Sequence, residues 1–398
     1  MQYKLRPYQQ QASDAAVRFL VDGSRKGHGL MVLPTGSGKS LVIADIVNRL
    51  DTDVLILQPS KEILEQNYEK LCSYGFLFCS IYSASCGRKE VNKATFATIG
   101  SVYKKPDEFR HFRYVIIDEA HLASEDPYGM YMTFLKDIGA KCVGLTATPY
   151  RLYTTGTREE PGSMLRFLTR LRGKFFTQLI HYTEVCELLQ AGFLAQMDYY
   201  NIESIDIERL SVNSTGQGYT EASLRAEYLR SGFAGKLVNV VERLLYNAKV
   251  PRNGILVFTQ FVEESEELIE HFPGISAVVT GETPKRERER ILEDFKSGRI
   301  KVVANVGTLT TGFDYPKLDT VVVARATRSL SLWYQIVGRA IRPHPKKDKS
   351  WIIDLCGTYQ MFGRVEDLRL IDASGDKHKG LWQIVSGGRP LTNVFMPA

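Results

Sequence analysis

The 398-residue sequence has no C-x-x-C pair, no low-complexity tract, no short internal repeat, and no apolar run approaching the roughly 20 residues of a membrane-spanning helix. Its six cysteines stand at 72, 79, 86, 142, 186 and 356. Cys72, Cys79 and Cys86 recur every seven residues, but a metal cluster needs a fourth ligand and usually tighter spacing, so ordinary thiols are the simpler reading. The chain starts on a polar, amphipathic segment instead of an apolar signal region. The expectation is a soluble, cytoplasmic protein with reduced thiols and no membrane partner. A strong excess of one charge is also missing: the net charge of +6 and pI near 8.8 permit a nucleic-acid partner without arguing for one.

What is present is length and apolar content. A chain of 398 residues exceeds one ordinary core, and 44% hydrophobic residues suffice for two α/β domains of roughly 150 to 200 residues each. Strand candidates with near-continuous apolar character fall at 30–33, 54–57, 95–98, 114–117 and 142–146, separated by segments able to form helices. A second series follows at 255–258, 277–279, 302–304, 321–324 and 351–355. Unalternating strands of this kind imply parallel sheets covered on both faces. Between the series, 151–249 loosens into a basic aromatic stretch, an amphipathic segment at 182–190, a strand at 196–202 and a turn region at 211–218. The expected division is a first domain at 1–155, a linker or basic insertion at 156–195, a second domain at 196–372, and a loose tail at 373–398 marked by Gly387, Gly388 and Pro390.

The most informative stretch is 33–40, L-P-T-G-S-G-K-S, which follows an apolar run suited to a buried strand and precedes a run suited to a helix. Thr35, Gly36, Ser37 and Gly38 form a loop whose backbone N–H groups can approach a phosphate, Lys39 can reach the β- and γ-phosphates, and Ser40 can ligate magnesium. Leu33 stands where the usual pattern has glycine, a departure that matters little if Pro34 and Gly36 bend the loop. A second constellation, V-I-I-D-E-A-H at 115–121, sets Asp118 and Glu119 directly after an apolar strand. Ligand sites of open parallel sheets lie at the carboxyl ends of strands, so Asp118 can share the site of Lys39 and hold magnesium, usually through water. Glu119 then orients or deprotonates the attacking water. The alternative is an acidic pair stabilised by a helix N-terminus.

Taken with G-L-T-A-T-P at 144–149, T-L-T-T-G-F-D-Y-P at 308–316 and Q-I-V-G-R-A-I-R at 335–342, these motifs resemble those of superfamily 2 helicases and translocases, and their order and wording look most like the bacterial RadD-like DNA-repair group. The resemblance covers 3 to about 355. It implies two tandem RecA-like domains, each a largely parallel sheet flanked by helices, with an ATP site in the cleft between them and ATP and Mg2+ as cofactors. Arg339 and Arg342, three apart and on one face if helical, then act as arginine fingers on the γ-phosphate, with Gln335 on the same face. L-R-P-Y-Q near the start resembles the adenine-reading element, with Gln9 on the base and Arg6 near the base or sugar. By the same resemblance His121, Thr146 and Thr148 couple the ATP site to domain movement. Gly312 and Asp314 lie near the nucleotide, the aspartate taking a ribose hydroxyl or an arginine.

The family pattern also puts nucleic-acid contacts at Pro59, Ser60 and Lys61, at Thr98 and Ser101, at Gln260, Thr280, Thr308 and Thr310. Small polar groups there suit phosphates and read no sequence, although any of them could be a cap or turn. The stretch 151–174 interleaves Arg158, Arg166, Arg170, Arg172 and Lys174 with Phe167, and Phe175 and Phe176 follow it; this is either a further nucleic-acid surface or core aromatics beneath a solvated basic face. K-R-E-R-E-R at 285–290, after Thr283 and Pro284, reads as a mixed-charge helix surface, and Lys346, Lys347 and Lys349 as a solvated loop. The expected activity is an ATP-driven motor on nucleic acid, DNA ahead of RNA, with repair proteins as possible partners. The competing readings are a nucleotide-controlled clamp and an RNA helicase.

Overall fold

A computed structural model describes residues 3–123, 128–156, 161–170, 175–246, 252–310, 312–373 and 381–397. The chain forms two compact units, Met1–Arg151 with Arg166–Glu184 and Leu370–Gln383, and Leu152–Leu165 with Val185–Arg369 and Ile384–Ala398.

The first unit contains helices α1 (Pro7–Val21), α2 (Lys39–Leu50), α3 (Lys61–Ser73), α4 (Ile99–Val102) and α5 (Met130–Ile138). Its strands are β1 (His28–Val32), β2 (Val54–Gln58), β3 (Cys79–Ser83), β4 (Arg88–Lys89), β5 (Ala94–Thr98), β6 (Tyr114–Ile117), β7 (Lys141–Thr146) and β10 (Phe176–Tyr182). The sheet order is β10-β1-β7-β6-β2-β5-β3-β4. Every pairing is parallel except β3 with β4. The near-continuous apolar runs explain this: β2 and β6 are buried at every position, so both faces need cover. One core joins Ala12, Ala16 and Phe19 of α1, Val42 and Ile46 of α2 and Leu64 and Leu71 of α3 to the strands.

The second unit has β8 (Tyr150–Gly156, whose first two residues lie in the first unit), β9 (Pro161–Phe167, whose last two do), β11 (Gln196–Asn201), β12 (Ile255–Thr259), β13 (Ser276–Val279), β14 (Val302–Asn305), β15 (Thr320–Ala324) and β16 (Lys349–Asp354). Helices α6 (Val185–Gln190), α7 (Glu221–Ser231), α8 (Phe233–Tyr246), α9 (Val262–His271), α10 (Lys285–Ser297), α11 (Leu330–Val337) and α12 (Thr358–Phe362) accompany them. The main sheet is parallel, in the order β11-β16-β15-β12-β14-β13. Both domains are therefore parallel sheets flanked by helices, as the two series of apolar runs predict.

Four local expectations change. The stretch 156–195, read as a linker, supplies β10, which pairs with β1, so it is partly sheet. Phe167, Phe175 and Phe176 are buried and cannot stack on bases, which decides in favour of core aromatics; Arg158, Arg172 and Lys174 lie outside the described residues. The tail is not loose where it is described. After β17 (Leu368–Asp372), β18 (Trp382–Ser386) pairs antiparallel with β19 (Arg389–Pro390) and β20 (Phe395–Pro397) with β9, the double glycine making the tight turn. Lys347 is buried instead of solvated, because its ammonium donates to the carbonyls of Ala340 and Leu318 at 2.8 and 3.0 Å. The mixed-charge helix at 285–290 is present as read, with Pro284 at the position just before it and Lys285 paired to Glu289 at 3.6 Å.

Candidate nucleotide site

The loop at 33–40 begins by extending β1: Leu33 is buried and its N–H donates to the Thr146 carbonyl at 2.9 Å. The chain then bends at Pro34, whose carbonyl accepts the Ser37 N–H at 3.1 Å, and Gly36 and Gly38 take φ of 81° and 82°. Such angles favour glycine, so leucine at the first position leaves the bend intact. Tyr8 Oη and Gln9 Nε2 both donate to the Ser37 carbonyl, at 2.6 and 2.8 Å, while Gln9 Oε1 accepts the Arg6 N–H at 2.9 Å. Gln9 is thus fastened to the phosphate loop. Tyr8 performs the same service, a role that the resemblance of L-R-P-Y-Q does not assign to it.

Opposite the loop, β6 ends at Ile117 and delivers the acidic pair. Lys39 Nζ lies 3.3 Å from Glu119 Oε1, and His121 Nδ1 lies 3.4 Å from Glu119 Oε2. Glu119 has φ 47°, a left-handed conformation that costs a non-glycine residue about 1–2 kcal/mol and that recurs at functional sites. Asp118 is buried; its Oδ1 accepts the Glu119 N–H at 2.9 Å and its Oδ2 accepts from Asn67 Nδ2 at 3.0 Å. Burial, reinforced by the neighbouring Glu119 charge, pushes the Asp118 carboxyl up to about 6. Burial also pushes His121 down to about 4, so its imidazole is neutral near pH 7 and shares a 2.8 Å hydrogen bond with Thr146 Oγ1. That hydroxyl in turn accepts the Thr148 N–H at 3.0 Å. His121, Thr146 and Thr148, named from the sequence as a group, are therefore hydrogen-bonded in one chain that starts beside Glu119 and enters the 144–149 loop. Arg151, also unforeseen, clamps the acidic loop through the carbonyls of His121 and Ala123.

The donor set fits magnesium and a phosphate chain. Ser40 Oγ and Asp118 are hard oxygen ligands, and Ser37 Oγ and Thr148 Oγ1 are buried polar atoms without a hydrogen-bond partner among the described residues.

In the second unit, α11 ends at Val337, and Arg339 and Arg342 lie beyond it, so they do not share a helical face with Gln335. The chain tightens into i→i+3 turns, with Arg339 N to Ile336 O at 3.1 Å and Ala340 N to Val337 O at 3.0 Å, ahead of Pro343. Arg339 is buried and donates through Nη1 to the Phe313 carbonyl at 2.9 Å. Arg342 Nη1 meets Asp314 Oδ1 at 2.9 Å, the arginine alternative for that aspartate. Gly312 takes φ 74°, an angle that favours glycine.

Most of the proposed strand contacts follow carboxyl strand ends. In the first unit Ser60 caps α3 after β2, with Pro59 beside it; Lys61 Nζ donates to the Ser85 carbonyl at 2.7 Å. Thr98 and Ser101 share a 2.9 Å hydrogen bond, and Thr98 lies 3.3 Å from Ser83, so β5, β3 and α4 contribute to one hydroxyl cluster that the motifs reveal only in part. In the second unit Gln260, Thr280 and Thr308 follow β12, β13 and β14, Thr308 donating to the Val279 carbonyl at 3.3 Å, with Thr310 two residues on.

Residues 2–151 match the family model described as "Type III restriction enzyme, res subunit", and residues 236–344 match "Helicase conserved C-terminal domain". Found in this order, the two matches indicate the superfamily 2 helicase family. The chain is 29% identical over 79% of its length to a "51.5 kDa protein" of a Lactococcus phage, covering 62% of that protein. It is 24% identical over 88% of its length to "DNA 3'-5' translocase XPB2" of Sulfurisphaera tokodaii, covering 80% of it. Its fold is shared with a fragment of a putative HsdR subunit of a type I restriction enzyme from Vibrio vulnificus, at a TM-score of 0.64 and 22% identity, covering 90% of this chain and 65% of that one. The chain spans between 51% and 62% of the length of three curated relatives, the phage protein among them. No helix among the described residues is long and apolar enough to cross a membrane.

Proposed function

We propose that the protein is an ATP-driven motor on DNA, a helicase or translocase of low sequence specificity acting in DNA repair or recombination as the RadD-like resemblance implies. The observation that carries the ATPase reading is the convergence of Lys39, Glu119, Asp118 and Ser40 from two strand ends on one phosphate loop. Lys39 binds the terminal phosphates, Gln9 and Arg6 face the adenosine end, and Glu119 takes a proton from the attacking water. Ser40 and Asp118 hold Mg2+, in part through water, and the ion supplies neutralisation of phosphate charge. Arg339 and Arg342 act on the γ-phosphate, and nucleotide state alternates how the two domains engage the strand. DNA is favoured over RNA on resemblance alone: the motif wording is that of a DNA-repair group, and the XPB2 relative is named a DNA translocase. ATP turnover measured alone and with single-stranded, duplex, forked and RNA substrates over a salt series tests the reading. Stimulation by DNA is expected. No stimulation by any nucleic acid refutes the motor, and binding without DNA-stimulated turnover identifies a clamp.

A further inference from the structure

Asn67 belongs to none of the motifs. It lies on α3, 27 residues after Ser40 and 51 before Asp118, yet its side chain joins both: Oδ1 accepts the Ser40 hydroxyl at 2.6 Å and Nδ2 donates to Asp118 Oδ2 at 3.0 Å. Nδ2 also reaches Gln58 Oε1 at 3.2 Å, and Gln58 is fully buried at the end of β2. These partners assign the amide. Reversing it would set its oxygen against a carboxylate oxygen and a second amide oxygen, so the oxygen faces Ser40. The Ser40 proton is therefore spent on Asn67, which leaves the lone pairs of Oγ for a cation. Asp118 is held from both sides, by the Asn67 amide and by the Glu119 N–H at 2.9 Å.

We propose that Asn67 is a positioning residue that presets the Ser40 hydroxyl and the Asp118 carboxylate as a pair of oxygen ligands for a divalent cation. The inference rests on the reading that these two residues hold the cation of an ATP site. Rigidity supports it. Asn67 is carried by a helix capped at Ser60 and anchored in the core by Leu64 and Leu71, so its amide is placed by the scaffold and not by a loop. A bland fastening of α3 to the sheet predicts lost stability without a changed metal requirement.

The test is equilibrium binding of a fluorescent ADP analogue to the full chain, in EDTA and across a MgCl2 titration, for wild type, Asn67→Leu and Asn67→Ser. Leucine removes both hydrogen bonds at similar volume; serine, too short to span both partners, is the variant that decides if leucine fails to fold in a melting curve. The half-saturating MgCl2 concentration should rise about 10- to 100-fold while nucleotide affinity in EDTA stays within about twofold. An unchanged magnesium requirement in a folded variant overturns the role of Asn67 and leaves the ATP reading standing, as does an equal loss of affinity in EDTA and in magnesium. A wild-type protein whose nucleotide binding ignores magnesium overturns both.

Discussion

Replacing Gly38 by alanine should damage the phosphate loop through two separable terms. Gly38 has φ 82°, and an L-residue in the left-handed region costs about 1–2 kcal/mol. A Cβ there would also stand 2.6 Å from Gln9 Nε2, too close for any real contact. Because the obstructing atom is the end of a side chain, the amide can swing away, but it then surrenders its 2.8 Å hydrogen bond to the Ser37 carbonyl, worth about 1 kcal/mol. The sum is about 2–3 kcal/mol, enough to lower the melting temperature by roughly 4–12 °C if the first domain melts as a unit. A double-mutant cycle separates the terms. In a Gln9→Ala background the clash and the hydrogen bond are already gone, so Gly38→Ala should then cost about 1 kcal/mol less than in wild type. Urea unfolding of the four proteins gives the energies, and ADP titration reports the loop. Wild-type stability in Gly38→Ala, or perfect additivity in the cycle, would refute the argument that Gln9 and the left-handed glycine hold the loop together.

Three further outcomes are expected. Lys39→Ala removes the cation that faces Glu119 and is proposed to bind the terminal phosphates, so ATP hydrolysis should fall to background; wild-type turnover would sink the site assignment. Glu119→Gln keeps the size of the side chain and loses the base, so ATP and DNA should still bind while a single-turnover assay shows hydrolysis slowed by about 100-fold or more. The Lys347 ammonium is pushed down to about 8 by burial, so between about pH 8 and 10.5 the unfolded chain binds more protons than the folded one and stability rises with pH across that window. Lys347→Met should abolish that rise in urea titrations at pH 7.5 and 9.5, and an identical pH slope in the variant would count against it.

Much of this molecule is legible locally. Five strands of each main sheet come from apolar runs whose lack of alternation leaves only a parallel, doubly covered sheet, and the phosphate loop follows from two glycines, a lysine and a serine between a strand and a helix. Where the reading failed, the deciding contacts were distant. Strand β10 is polar enough to pass for a linker until β1 pairs with it. The exception is local: Arg339 and Arg342 share no helical face with Gln335 because α11 stops at Val337, where the N–H groups of Arg339 and Ala340 turn to carbonyls three residues back, a change that Q-I-V-G-R-A-I-R does not announce.

What the sequence determined by itself is the chemistry on offer: a loop able to cradle phosphates, an acid pair after a strand, hydroxyls and arginines in a known order. Those properties depend on neighbours within a few residues, where backbone geometry and side-chain type decide the outcome. Only the tertiary structure decided which groups act together. Asn67 has no motif, Tyr8 and Arg151 no evident task, and Lys347 reads as solvent-facing until the fold encloses it. Asn67, Tyr8 and Arg151 acquire their roles beside strand ends that a parallel sheet gathers at one edge, and Lys347 is enclosed at the amino ends of β15 and β16; side-chain hydrogen bonds that no local pattern encodes join them to their partners.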